Sequence, residues 1–88
     1  MKEEFLIEKG KLQEIKIGFL TYQRIIYAGM PTEKAFAIST IIDTDGEYTS
    51  HQIFYPKETT FITIIKQRFK VIEVTPDYII LALEKQQQ

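Results

Sequence analysis

The sequence lacks cysteine altogether, and it contains one histidine and only four glycines. Without cysteine the chain forms no disulfide, and it offers no thiolate ligand for zinc and no thiol nucleophile. The single histidine, His51, excludes a multi-histidine metal centre within one chain. Four scattered glycines without a GxGxxG or GxxxxGK motif provide no phosphate-binding loop. These absences exclude most metal, redox and nucleotide chemistry, and we expect no cofactor.

The length and charge indicate a small ordinary domain. With 88 residues we expect one domain over residues 1–83, followed by a frayed polar tail over 84–88. The net charge of −1 does not require a polyanionic partner. Charged residues interrupt the N-terminal apolar residues, which is not the pattern of a signal peptide, and no apolar run is long enough to span a membrane. We therefore expect a cytoplasmic protein with no membrane contact.

The residue types favour strands over helices. Ile, Val, Thr, Phe and Tyr make up 37 of the 88 residues, whereas Ala and Leu together contribute 9. β-Branched and aromatic side chains lose rotamer freedom in a helix and fit the pleated surface of a sheet. The composition predicts a β-rich fold, either α+β or all-β. We expect an antiparallel sheet of five to six strands that is curled or half-barrelled.

Asp45-Gly46 is the strongest local signal for a hairpin. Both residues of a two-residue type I′ turn need positive φ, and Asp-Gly is one of the pairs preferred there. This loop fixes a register in which Thr44 faces Glu47 and Thr40 faces His51. One face of the predicted hairpin is apolar, and we expect it to lie in the core: Phe36, Ile38, Ile42, Ile53 and Tyr55.

A second hairpin is predicted where Pro76-Asp77 joins residues 71–74 to residues 78–83, since Pro presets φ for a turn and Asp bonds its own backbone. A two-residue loop places five apolar side chains on one face: Ile72, Val74, Ile79, Leu81 and Leu83. A three-residue loop would shift this register.

Two further breaks and two ambiguous segments complete the pattern. We expect a hairpin at Lys9-Gly10 and a break at Gly29-Met30-Pro31. Residues 59–69 place their apolar side chains on one arc of a helical wheel, so one helix is expected near 58–69, although no strong helix former is present in 59–65. Residues 12–27 fit both the helical period and the two-residue alternation of a strand, and their Ile and aromatic content favours strands.

The leading functional hypothesis is a non-catalytic interaction module that self-associates. Residues 78–83 are apolar on both faces, and only one face can fill the core of the domain itself. The other face would be buried by a second copy, and a closed two-fold dimer is the commonest oligomer. The expected contact residues are Val71, Tyr78, Ile80 and Ala82.

Two alternatives remain open. The first is a small nucleic-acid-binding β-barrel, in which basic side chains beside Phe69 contact phosphates and bases stack on aromatic rings. Its candidate residues are Lys57, Lys66, Arg68 and Lys70. The second is an enzyme that uses His51 as a general base, since histidine titrates near neutral pH. No serine or threonine in the local register supports a nucleophile–base pair.

Overall fold

The computed structural model describes residues 3–16, 21–44, 47–64 and 67–84, and these residues form eight strands with no helix. The strands are β1 (Glu3–Glu8), β2 (Leu12–Lys16), β3 (Thr21–Thr32), β4 (Ala35–Thr44), β5 (Glu47–Pro56), β6 (Phe61–Ile64), β7 (Gln67–Val74) and β8 (Tyr78–Glu84). The prediction of a β-rich antiparallel fold is confirmed, and strands indeed cover the described part of 12–27.

The strands form two antiparallel sheets of four strands each. The first sheet has the order β1-β8-β7-β6, and the second has the order β2-β3-β4-β5. Neither sheet closes into a barrel through the strands that the structure describes. The prediction of one curled or half-barrelled sheet with five or six strands is therefore wrong in strand number and arrangement. The eight strands form two layers because each sheet then buries one apolar face against the other.

The core lies between the two sheets, which pack face to face. Its buried side chains come from both sheets: Ile7, Ile15, Ile25, Tyr27, Phe36, Ile38, Ile62, Ile64, Phe69, Ile79 and Leu81. We call the face of each sheet that carries these residues its inner face. At one end of the sandwich the Tyr27 hydroxyl donates a hydrogen bond to the Thr75 carbonyl and ties the second sheet to the first.

The described residues of 58–69 do not form the predicted helix, and they instead hold β6 and the start of β7. Ile62 and Ile64 are buried, whereas Phe61 and Thr63 are exposed, which is the two-residue alternation of a strand. The helical arc in the sequence came from apolar residues belonging to two strands. Local β-propensity therefore outweighed the helical period.

Gly10 turns the chain but does not make a hairpin. The Lys11 N–H donates to the Glu8 carbonyl across a tight turn, and Gly10 has φ of 81°. However, β1 pairs with β8 and β2 pairs with β3, so the chain crosses here from the first sheet to the second. The hairpin predicted at Lys9-Gly10 is therefore wrong.

The first predicted hairpin has the expected register. Thr44 faces Glu47, Thr40 faces His51 and Phe36 faces Tyr55, while the loop Asp45-Gly46 itself lies outside the described residues. Phe36 and Ile38 are buried in the core as predicted. Ile53 belongs to the same inner face but is 39% exposed.

The second hairpin has the predicted two-residue loop, since the Thr75 N–H donates to the Tyr78 carbonyl and Val74 faces Ile79. A β-bulge then changes the register, because Glu73 faces Ile80 but Val71 faces Leu81. The extra residue is Ile72, which is 45% exposed. Its predicted place in the core is wrong, because a bulge moves every residue beyond it to the opposite face.

The break predicted at Gly29-Met30-Pro31 is also wrong, since β3 continues through it. The strand accommodates these residues with two irregularities, between Tyr27 and Gly29 and between Gly29 and Thr32. Gly29 has φ of 90°, a conformation that L side chains rarely adopt. The glycine therefore marks a bulge inside a strand rather than the end of one.

Candidate interaction site at the free edge of the second sheet

β5 forms one edge of the second sheet, and among the described residues its hydrogen-bonded neighbour is β4. The strand has 10 residues, the same length as β4. An edge strand carries a row of backbone N–H and C=O groups that its own sheet does not use. β5 therefore presents a long row of unpaired backbone groups.

The register identifies which residues present these groups. The Lys57 N–H donates to the Lys34 carbonyl at 2.8 Å, one step beyond the pair Ala35–Pro56. In an antiparallel ladder hydrogen-bonded and non-hydrogen-bonded pairs alternate, so the odd-numbered residues of β5 bond to β4. The even-numbered residues point their backbone groups to the free edge: Tyr48, Ser50, Gln52 and Phe54.

Apolar side chains flank this row on both faces. Phe54 on the outer face is 60% exposed, and Ile53 on the inner face is 39% exposed. On the neighbouring strand, Ile38 and Thr40 of the same inner face are buried. The first sheet thus covers β4 but leaves most of β5 uncovered, so this part of β5 overhangs the sandwich, whereas Tyr55 near the end of the strand packs against the core.

Within the described ranges the other three edges are short or carry charges. β6 has 4 residues and β2 has 5, with the Glu14 carboxylate of β2 paired to Arg24. β1 has 6 residues and carries the exposed acids Glu4 and Glu8. Short length and charge are the usual protections of an edge strand, and β5 has neither, since Glu47 at its start is its only charged acid or base.

The residues predicted for self-association do not share one exposed face. Val71 packs against the core beyond the bulge, and Ala82 is fully buried. Tyr78 and Ile80 are half-buried on the outer face of the first sheet. A hydrogen bond from the Tyr78 hydroxyl to the Glu73 carboxylate, at 2.9 Å, raises the tyrosine pKa.

The predicted basic cluster is divided. Arg68 and Lys70 lie on the outer face of the first sheet, where the Arg68 guanidinium lies 3.9 Å from the centre of the Phe61 ring. Glu84 faces Arg68 in the ladder, so an acid lies beside this basic pair.

The other two basic candidates do not join this pair. Lys57 lines an open cleft of about 550 Å³ at the Tyr27–Thr75 end of the sandwich. The other residues that line this cleft are Met30, Thr32, Glu33, Val74, Thr75 and Pro76. Lys66 lies outside the described residues.

His51 lies exposed in the middle of β5. Its backbone carbonyl accepts a hydrogen bond from the Thr40 hydroxyl at 3.5 Å. Within the described ranges no three His, Asp or Glu side chains lie together in a group that could hold a metal ion.

The sequence itself carries one signal for the β5 edge. Ile53 and Phe54 are adjacent apolar residues, so one of them had to leave the core face whatever the register.

None of the described residues belongs to a helix long and apolar enough to cross a membrane. Comparisons with models of protein families, with curated proteins and with solved structures found no match.

Proposed function

We propose that this chain is a non-catalytic interaction module that self-associates through the free edge of β5. The observation that carries the proposal is the uncovered ten-residue edge with Ile53 and Phe54 exposed on its two faces. Pairing with another strand would satisfy the backbone groups and bury both side chains.

The energetics favour pairing at this edge over the face that we predicted from the sequence. Ladder hydrogen bonds supply directional contacts, and burial of apolar side chains such as Phe54 supplies most of the free energy. The outer face of the first sheet exposes Leu6 beside Ile80, but the acids Glu4, Glu8 and Glu73 surround them. We further propose a cytoplasmic location, in keeping with the absence of cysteine.

Light scattering coupled to gel filtration, across the micromolar range, tests the proposal. We expect the wild-type chain to elute as a dimer and the Phe54→Lys variant to elute as a monomer, because lysine blocks an edge by its charge. Leu12→Lys is the matched control, since Leu12 is 51% exposed on the edge strand β2. It should remain a dimer. A wild-type monomer at every concentration would contradict the proposal.

A second candidate function is single-strand nucleic-acid binding at the outer face of the first sheet. The specific support is the stacking of Arg68 on Phe61 with Lys70 opposite that ring in the ladder. This function predicts binding to a mixed oligonucleotide that weakens steeply with salt and is lost in Arg68→Glu. Absence of binding at low salt would eliminate it.

A further inference from the structure

We propose that the strand added to β5 is β5 of a second copy, antiparallel to the first about a two-fold axis normal to the second sheet. The two four-stranded second sheets would then form one continuous sheet of eight strands. This inference rests on the proposed function and specifies its partner and geometry.

The composition of β5 supports a copy of itself as the partner. Its 10 residues include one charged acid, Glu47 at the first position, and neither lysine nor arginine. Two such strands therefore place no pair of carboxylates and no pair of lysine or arginine side chains opposite each other at their centre. A partner of equal length also fits the whole edge, whereas an acidic or basic peptide would find no complementary charge on it.

The unpaired backbone groups favour one register. Hydrogen-bonded pairs across the new junction must join even-numbered residues, since these alone point to the free edge. All four residues of each copy are used when Ser50 pairs with the partner's Gln52 and Tyr48 pairs with the partner's Phe54. His51 then lies on the two-fold axis, directly opposite the partner's His51.

This geometry also accounts for the overhang. A two-fold axis normal to the sheet keeps both inner faces on the same side, so the uncovered strips of the two β5 strands become neighbours. Ile53 then lies opposite the partner's Thr49, in a trough between the two first sheets. The inner-face strips that the two first sheets leave uncovered thereby lie side by side between these sheets.

A proline at the free edge tests the backbone pairing. Gln52→Pro removes an N–H that makes no bond to β4, so the fold should be retained by far-UV circular dichroism. Because the two-fold axis repeats each contact, the substitution removes two hydrogen bonds per dimer. We therefore expect the dimer dissociation constant to rise at least about tenfold. Gln52→Thr keeps the N–H and should associate as the wild type does. Ser50→Pro provides the same test at a second position.

Single cysteines test the register, because the natural chain contains none. In a non-hydrogen-bonded antiparallel pair the facing Cα atoms lie about 4.5 Å apart, within the range that a disulfide spans. Oxidised His51→Cys should therefore form a covalent dimer. Ile53→Cys, which faces the partner's Thr49, should remain mostly uncross-linked.

The outcomes separate this inference from the function on which it rests. A wild-type monomer removes the proposed function itself. A wild-type dimer that persists unchanged in folded Gln52→Pro and Ser50→Pro keeps the self-association but overturns pairing through β5. Cross-linking of Ile53→Cys in preference to His51→Cys overturns the register centred on His51.

Discussion

Gly10 and Gly29 both have positive φ, but their surroundings differ. A Cβ added at Gly10 would meet no atom within 4 Å, whereas one at Gly29 would lie 3.1 Å from the Lys9 side chain. Positive φ costs an L residue about 1–2 kcal/mol, so both alanine variants should lose stability. We expect Gly29→Ala to lose more in urea denaturation, since the Lys9 stem must also move. An equal loss in the two variants would contradict the close packing at Gly29.

Gln23 is fully buried on the inner face of β3, and neither of its amide atoms has a hydrogen-bond partner among the described residues. A buried polar group without a partner costs about 1–3 kcal/mol. Gln23→Leu should therefore raise the free energy of unfolding by about 1–2 kcal/mol. Thr40→Val is the control, because Thr40 is buried with a partner, and it should bring no gain. A loss of stability in Gln23→Leu would contradict this assignment.

Tyr27 couples stability to alkaline pH. Burial raises the pKa of its hydroxyl above 10.0, and the negative charge of Asp77 raises it further. The folded state then holds this proton more tightly than the unfolded state. The contribution of the protonated Tyr27 hydroxyl to the free energy of unfolding is therefore complete below pH 10, and it is lost as the pH rises through the folded-state pKa.

Tyr27→Phe tests this coupling in urea titrations at neutral and alkaline pH. The variant should lose about 1 kcal/mol at neutral pH, because the bond to the Thr75 carbonyl is absent. Its stability should also decline less steeply above pH 10 than that of the wild type. Burial also raises the pKa of Tyr55, so part of the decline remains. Identical slopes in variant and wild type would refute the role of Tyr27.

At the scale of the elements, turn chemistry predicted both hairpins whose loops carry a specific signal. Asp45-Gly46 gave the register of β4 and β5, and Pro76-Asp77 gave the pairing of Val74 with Ile79. The bulge at Ile72 was not predictable, because no glycine marks it and alternation alone cannot show an extra residue. The prediction of a helix near 58–69 was wrong because the apolar residues of two neighbouring strands together fit a helical period.

The bulge in β7 makes its own prediction. Without it Val71 would face outward and Ile72 inward, whereas with it Val71 packs against the core and Ile72 is exposed. Val71→Lys should therefore cost about 2 kcal/mol or more in denaturation, and Ile72→Lys only about 0.5 kcal/mol or less. The reverse order would show that β7 pairs with β8 without the bulge.

At the scale of the molecule, the sequence did not reveal which strands are neighbours across the fold. The pairing of β1 with β8 joins the two ends of the chain, and no local signal at Lys9-Gly10 distinguishes a hairpin from a crossing between sheets. The candidate site was missed for the same reason. Exposure of β5 follows from how far the first sheet extends, which depends on the pairing of distant segments.

Amide hydrogen exchange followed by NMR tests most directly whether the free edge of β5 pairs with a second copy. The N–H groups of His51 and Ile53 bond to β4 and should be protected at every concentration. The N–H groups of Ser50, Gln52 and Phe54 should exchange rapidly in dilute protein and become protected in the concentration range where the dimer forms. Rapid exchange of these three groups in a sample shown to be dimeric would contradict pairing through this edge.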